Sequence, residues 1–181
     1  AFRALGGVSC ILEGFAALER EISVVGARGM DGAFAAFDVC ENEHENHILS
    51  VTRAPARMAP ETAAEAMEIC HKILDALDYV GVIAVEMFLV AETGPDGARR
   101  EKVVVNEIAP RVHNSGHWTI EGAETSQFEQ HVRAICGWPL GSAKIRGEVE
   151  MRNLIGDQAD RWREIAADPG AALHLYGKAE A

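Results

Sequence analysis

Two apolar, β-rich runs, Val82–Val90 and Lys102–Ile108, are joined through the turn-forming stretch Thr93-Gly94-Pro95-Asp96-Gly97. Runs of this length bounded by Gly, Pro and Asp pair as an antiparallel hairpin. With the turn centred near Asp96 and Gly97, Glu86 lies opposite Glu107. Val85 and Met87 flank the first glutamate; Asn106 and Ile108 flank the second. Two like charges directly opposite on one strand face cost stability. Half-burial raises one of their pKa values strongly unless a cation lies between them. Magnesium suits such a place, because it takes oxygen ligands and is commonly held by one or two carboxylates plus substrate phosphates. Asn106 offers a further oxygen. The competing reading is a solvated hairpin face, or a register in which the two glutamates never meet.

The rest of the chain fits round that hairpin. Val8–Phe15 reads as a strand. Glu21–Ala27 reads as another, with Ile22 and Val24 on one face and Glu21, Ser23 and Val25 on the other. After the turn signal Met30-Asp31-Gly32, Ala33–Cys40 and Ile48–Arg53 read as strands separated by the polar stretch Glu41–His47. Pro60–Asp78 is the clearest helix: Pro60 and Glu61 suit its start, and Ala63, Ala66, Met67, Cys70, Ile73, Leu74 and Leu77 recur at helical spacing. Gln127–Cys136 reads as a second helix with Phe128, Val132 and Ile135 inward, broken by Gly137-Trp138-Pro139-Leu140-Gly141. Met151–Ile155 reads as a short strand, Gln158–Ala167 as a short helix and Ala172–Tyr176 as a final strand. The expected class is α+β, an antiparallel sheet with helices packed on one face. Gly137–Ser142 is the one place where a domain boundary fits.

Composition narrows the function. At 181 residues and 48% hydrophobic, the chain has the length of one domain with part of a second, and buries roughly 70% of its unfolded surface. A net charge of −11 argues against a nonspecific nucleic-acid binder, but not against a phosphorylated small molecule, for which a few local cations suffice. Cys10, Cys40, Cys70 and Cys136 are far apart, without zinc spacing, and read as buried free thiols in a reducing compartment. No apolar run reaches the ~20 residues of a membrane span, and no signal-peptide pattern is present; a cytoplasmic protein, not a membrane one, is expected. The start at Ala1 and the stop just after an apolar run read as the ends of a piece.

Directly after the second glutamate strand comes Arg111-Val112-His113-Asn114-Ser115-Gly116-His117. Arg carries a planar fork of donors for phosphate or carboxylate, and Gly116 permits close backbone approach. Such loops at strand ends are frequently functional; the alternative is a polar loop satisfying its own backbone. Of the other histidines, His44 and His47 read as solvent-facing, His71 and His131 as structural or exposed, and His174 as a satisfied core residue.

The run Val105-Asn106-Glu107-Ile108-Ala109-Pro110-Arg111-Val112-His113-Asn114-Ser115-Gly116-His117-Trp118-Thr119, continued by Ser126-Gln127-Phe128-Glu129-Gln130-His131, closely resembles the signature of the 5-(carboxyamino)imidazole ribonucleotide synthase family of ATP-grasp ligases. Ile11-Leu12-Glu13-Gly14-Phe15, Glu19-Arg20-Glu21-Ile22-Ser23, Gly26-Ala27-Arg28-Gly29 and Gly81–Phe88 also resemble it, in the family's order, over most of residues 8–141. The resemblance implies an ATP-grasp large lobe over residues 1–138 and the beginning of a C-terminal domain over 139–181. It implies ATP and Mg2+ as cofactors, bicarbonate and 5-aminoimidazole ribonucleotide as further substrates, carboxyphosphate as intermediate, and a homodimer in the full-length protein. Carried over by motif, Glu13, Gly14, Phe15 and Ala16 are the adenine hinge, and Glu21 takes the ribose hydroxyls with His44 near the nucleotide. Glu86 and Glu107, with Asn106 beside the latter, hold magnesium. Arg111 stabilises the transferring group, while His113, Asn114, Ser115, Gly116 and His117 position bicarbonate and ribonucleotide, with Arg111, His113 and Asn114 catalytic. The family's phosphate-covering glycine-rich loop and its ATP-binding lysine have no counterpart in these 181 residues, nor has the basic segment that helps bind the substrate phosphate. Two alternatives stand beside this reading: another ATP-grasp carboxylate–amine ligase, against which the HNSGHWT run argues, and a non-catalytic nucleotide-binding module, against which intact Glu86, Glu107, Arg111 and Asn114 argue.

Overall fold

The computed structural model describes residues 2–12, 14–15, 17–94 and 96–177. The hairpin forms as expected from strands β5 (Gly81–Thr93) and β6 (Arg99–Ala109). Pro95 of its turn lies outside the described residues. Strand β1 (Leu18–Arg28) pairs antiparallel with β5 along almost its whole length. On its other edge β1 meets β2 (Phe34–Ala36) and β3 (Cys40–Glu45). With β4 (Ile48–Ala54) and β7 (Val149–Arg152), the described residues form one seven-stranded sheet in the order β6-β5-β1-β3-β4-β7, with β2 attached to β1. The helices are α1 (Pro60–Ala76), α2 (Thr119–Gly122), α3 (Gln127–Ile135) and α4 (Trp162–Ala166). None is long and apolar enough to cross a membrane.

Helix α1 starts at Pro60, where a missing N–H costs little. It ends before Asp78, whose φ of 44° leaves the helical region. Ala66, Cys70 and Leu74, four residues apart, are fully buried against Ile22, Val24, Ile83 and Val85. Burying a side chain such as Leu74 stabilises the fold by roughly 2 kcal/mol. The approach is close: a Cβ on Gly26 of β1 would lie 2.7 Å from the Cys70 sulfur.

The α+β antiparallel class is as expected, but several elements differ from their sequence patterns. Described residues 8–12 and 14–15 are not a strand: they are exposed and irregular, because no strand among the described residues supplies a ladder to them. Ala33–Cys40 splits, with Phe37-Asp38-Val39 between β2 and β3. The polar stretch Glu41–His47 is itself largely strand: β3 and β4 form a hairpin whose two-residue turn, Asn46-His47, has both φ values positive, at 50° and 66°. Residues 172–176 are irregular rather than a strand, and residues 156–166 form a 3-10 turn followed by the short α4. Cys40 and Cys70 are buried, with their thiols pushed up to about 11 and about 12 by desolvation, whereas Cys10 and Cys136 are exposed, contrary to expectation.

Helix α3 inverts its expected face. Phe128, Val132 and Ile135 are 38%, 47% and 46% exposed, while Gln127, Gln130 and Ala134 are buried. Each glutamine makes two hydrogen bonds to one backbone residue. Gln127 takes the N–H and C=O of His113 at 2.9 and 2.7 Å, and Gln130 those of Gly141, both at 2.8 Å. A primary amide presents a donor and an acceptor side by side, matching the two peptide groups. A polar inward face is therefore fully satisfied, and a hydrophobicity pattern reads it as outward.

Candidate active site

Strand alternation divides one sheet face into two halves. Val25 and Ala27 of β1 share a dry cluster with Phe37, Val82, Ala84 and Trp118. Two and four residues earlier on the same face come Ser23 and Glu21, where that apolar cluster ends. A cleft here is lined by Glu21, Asn42, His44, Glu86, Phe88 and Asn106. The site thus occupies the open continuation of a packed face.

Glu86 and Glu107 are direct cross-strand partners. Between Glu86 and Met87 the register slips by one, so Met87 pairs with Val105 and Asn106 is the extra residue of a bulge. Asn106 and Glu107 together therefore oppose Glu86. Glu86 is half-buried, with its side chain 19% exposed, and Glu107 is exposed. The pKa of Glu86 is not raised, as two facing carboxylates alone would have it. The His113 ring at 3.1 Å holds it below the usual carboxylate range against the opposing effect of burial, and the charges of His44 and Arg111 act in the same direction. Among the described residues, no three His, Cys, Asp or Glu side chains gather into a set able to hold a metal ion. The Glu86–Glu107 pair with Asn106 fits a magnesium ion that takes its remaining ligands from phosphate and water.

The loop above the pair is shaped from below. Gln127 clamps the His113 backbone, and this requires Gly116, where a Cβ would lie 2.5 Å from the Gln127 amide oxygen. Asn114–Gly116 forms a 3-10 turn, with the Ser115 N–H directed at His113 Nδ1 at 3.3 Å. Ser115 and Gly116, read from the sequence as substrate contacts, are buried. The Ser115 hydroxyl is occupied by Ser23 at 2.8 Å and by His113 at 2.9 Å. Both residues build the loop instead. Arg111 is exposed, bonds the adjacent Val112 carbonyl at 3.0 Å, and has no carboxylate partner among the described residues.

Glu21 forms an ion pair with His44. It does not pair with the neighbouring arginines: Arg20 goes to Glu41 and Glu101, and Arg28 to Asp75 and Asp78. His44 is thus engaged in the cleft rather than free in solvent. Of the expected hinge, Glu13 and Ala16 lie outside the described residues, and Gly14 and Phe15 are exposed and offer no strand edge. His131 accepts the Val82 N–H at 3.1 Å, a structural role. His174 is exposed rather than core, bonding Glu121 at 2.9 Å.

His117 sits between Phe128 and Tyr176 and meets the Tyr176 hydroxyl at 3.2 Å. Burial lowers its pKa, and the charges of His113 and His174 lower it further. The unfolded chain, with an ordinary imidazole near about 6.5, therefore binds this proton first on acidification. The contribution is fully favourable above about pH 6.5 and is lost as pH falls towards the depressed folded value. Thermal unfolding between neutral pH and pH 5 should show a smaller acid loss in His117→Gln than in the parent chain; equal losses would contradict this assignment.

Three buried residues beside the cleft carry no role from the sequence: Ser23, Asn42 and Thr52. The available signal was a serine sharing a strand face with Glu21. Asn42 is hidden because the polar β3 reads as a loop, and Thr52, on a run that reads as a strand, because its partner Asn42 lies on β3.

The ATP-grasp domain family model matches residues 1–128. The chain belongs to the ATP-grasp family. A second model, the phosphoribosylaminoimidazole carboxylase C-terminal domain, matches residues 150–181. Among curated proteins, this ATP-grasp chain is 46% identical over 181 residues to the N5-carboxyaminoimidazole ribonucleotide synthase of Brucella melitensis, covering 100% of this chain and 48% of the relative. It is similar to the crystal structure of N5-carboxyaminoimidazole ribonucleotide synthetase from Thermus thermophilus, with TM-score 0.88 and 45% identity, over 100% of this chain and 48% of that one. The Aspergillus clavatus synthase, solved in complex with ADP and 5-aminoimidazole ribonucleotide, matches with TM-score 0.79 and 34% identity over 90% and 43%. The chain spans about half the length of the curated relatives it matches.

Proposed function

We propose that this chain supplies the magnesium- and nucleotide-facing part of an ATP-dependent enzyme that carboxylates 5-aminoimidazole ribonucleotide with bicarbonate. The observation that carries the reading is the Glu86–Glu107 pair, with bulged Asn106 beside it and His113 and Arg111 at its rim. In this reaction the γ-phosphoryl of ATP passes to bicarbonate, giving ADP and carboxyphosphate. The ribonucleotide amine then attacks the carboxyl carbon and phosphate leaves. Mg2+ neutralises charge on the phosphates when bound. Glu86 and Glu107 are its protein ligands in this reading. Arg111, with no carboxylate partner among the described residues, is available to the transferring phosphoryl or carboxyphosphate. His113 and Asn114 orient bicarbonate and the amine, and Glu21 with His44 receives the ribose side of the nucleotide. Residues 1–138 act as the ATP-grasp lobe and 139–181 as the beginning of a C-terminal domain. The reading includes a homodimeric full-length protein in the cytoplasm.

The test is bicarbonate- and ribonucleotide-dependent ADP release by the full-length protein. Turnover with a different acceptor amine in place of the ribonucleotide would overturn the substrate assignment. The 181-residue chain assayed alongside should be at least about a thousandfold slower, because phosphoryl transfer rests on groups that position and neutralise phosphate, and losing such groups costs several kcal/mol of transition-state stabilisation. Comparable turnover would show that these residues carry the whole reaction.

A further inference from the structure

We propose that Thr52, Asn42, Ser23 and Ser115 are positioning residues, a one-directional chain of buried hydrogen bonds that holds His113 in the tautomer with hydrogen on Nε2 and aims that donor at Glu86. A neutral imidazole has one donor and one acceptor, and its neighbours decide which nitrogen is which. The links are short and continuous. The Thr52 hydroxyl donates to Asn42 Oδ1 at 2.8 Å. Asn42 Nδ2 donates to Ser23 Oγ at 2.9 Å. Ser23 donates to Ser115 Oγ at 2.8 Å, which leaves the Ser115 hydrogen for His113 Nδ1 at 2.9 Å.

Direction is the essential property of this chain. Each hydroxyl has a single hydrogen, so turning the Asn42 amide over would reverse every link and place the imidazole hydrogen on Nδ1. Both ends of the ring oppose that reversal. The Ser115 backbone N–H points at Nδ1 from 3.3 Å and needs a bare nitrogen there. The Glu86 carboxylate lies 3.1 Å from Nε2 and needs a donor there. Ser23, Asn42, Thr52 and Ser115 are all buried, so water does not substitute for a missing partner. The Cys40 thiol beside Ser23, at 3.1 Å, is held protonated by burial and adds no charge to the chain.

At the site, His113 engages one Glu86 oxygen, Oε1. Hydrogen-bonded support of this kind fixes the orientation of a carboxylate that holds a metal. The inference rests on the proposed function only for that last use of Glu86; the tautomer is a property of the chain itself.

The experiment is a two-bond 1H–15N correlation spectrum of the histidine rings, recorded at neutral pH on the 181-residue chain. Hydrogen-bearing and bare ring nitrogens are widely separated in 15N shift. The parent chain should show Nδ1 bare and Nε2 hydrogen-bearing at His113. In Asn42→Asp the donor into Ser23 is gone, so the hydroxyls turn round and Nδ1 should become hydrogen-bearing. Ser23→Ala interrupts the chain without adding charge and should draw the two nitrogen shifts towards each other. Thr52→Val should do the same, while Thr52→Ser should retain the parent spectrum. A role in packing alone would leave the ring spectrum unmoved. Should Asn42→Asp fail to fold, Ser23→Ala and Thr52→Val decide. Hydrogen on Nδ1 in the parent, or unchanged shifts in the folded variants, would overturn the proposal. The expected shifts in a full-length protein lacking ribonucleotide-dependent turnover would instead count against the proposed function alone.

Discussion

Glu107→Gln in the full-length protein should lower kcat on the order of a thousandfold while leaving stability within about 0.5 kcal/mol of the parent. The substitution keeps the shape and removes the charge. Glu107 is exposed and makes no ion pair among the described residues, so folding loses little. The reaction, in the proposed reading, loses one of two anionic ligands to the ion that holds the phosphates. The deficit should shrink as magnesium is raised if it lies in binding the ion, and persist at saturation if it lies in placing it. Parental kcat in this variant would remove Glu107 from the chemistry.

The largest stability effect should come from Gln127→Leu. Leucine approximates the volume, but the buried N–H of His113 loses its partner, while the C=O loses one of two and keeps the Gly116 N–H at 3.0 Å. The unsatisfied N–H costs about 1–3 kcal/mol and the lost bond to the carbonyl adds about 1 kcal/mol, so a loss of about 2–4 kcal/mol is predicted. Denaturant unfolding should show a lower midpoint with an unchanged slope. A loss below about 1 kcal/mol would mean that the loop finds other partners for these groups. Gly116→Ala attacks the same contact from the other side, because its Cβ would displace the Gln127 amide.

These two residues also mark where sequence patterns inform and where they mislead. The Glu86–Glu107 register was legible, since turn position and strand alternation fix it together. Helix α1 was legible because its inward face is apolar. Helix α3 was not: Gln127 and Gln130 are buried through paired hydrogen bonds, so its exposed apolar residues imitate an inward stripe. Strand β3 failed for a related reason. Buried Asn42 and exposed His44 both line the cleft, so this strand shows a polar face where a pattern expects an apolar one. In both places a local rule is broken by buried polar side chains whose hydrogen bonds are met within the fold. The irregular residues 8–12 depart in the opposite direction, with an apolar composition but no strand among the described residues to pair with. Ser115 was singled out for its chemistry, yet its hydroxyl faces inward to Ser23 and His113, a distinction that composition of a loop does not carry.

The bulge at Asn106 has a consequence for protein engineering. Val103 packs in the core beneath α1, whereas Ala109 packs in the cluster on the opposite side of the sheet, although their numbers share parity. The extra residue is a phase shifter, and it lets a single strand serve two faces. Removing Asn106 altogether would restore strict alternation between Val105 and Glu107 and leave Glu107 opposite Glu86. A one-residue deletion, ordinarily ruinous within a strand because it turns every later side chain over, becomes here a conservative edit that subtracts a single amide from the cleft.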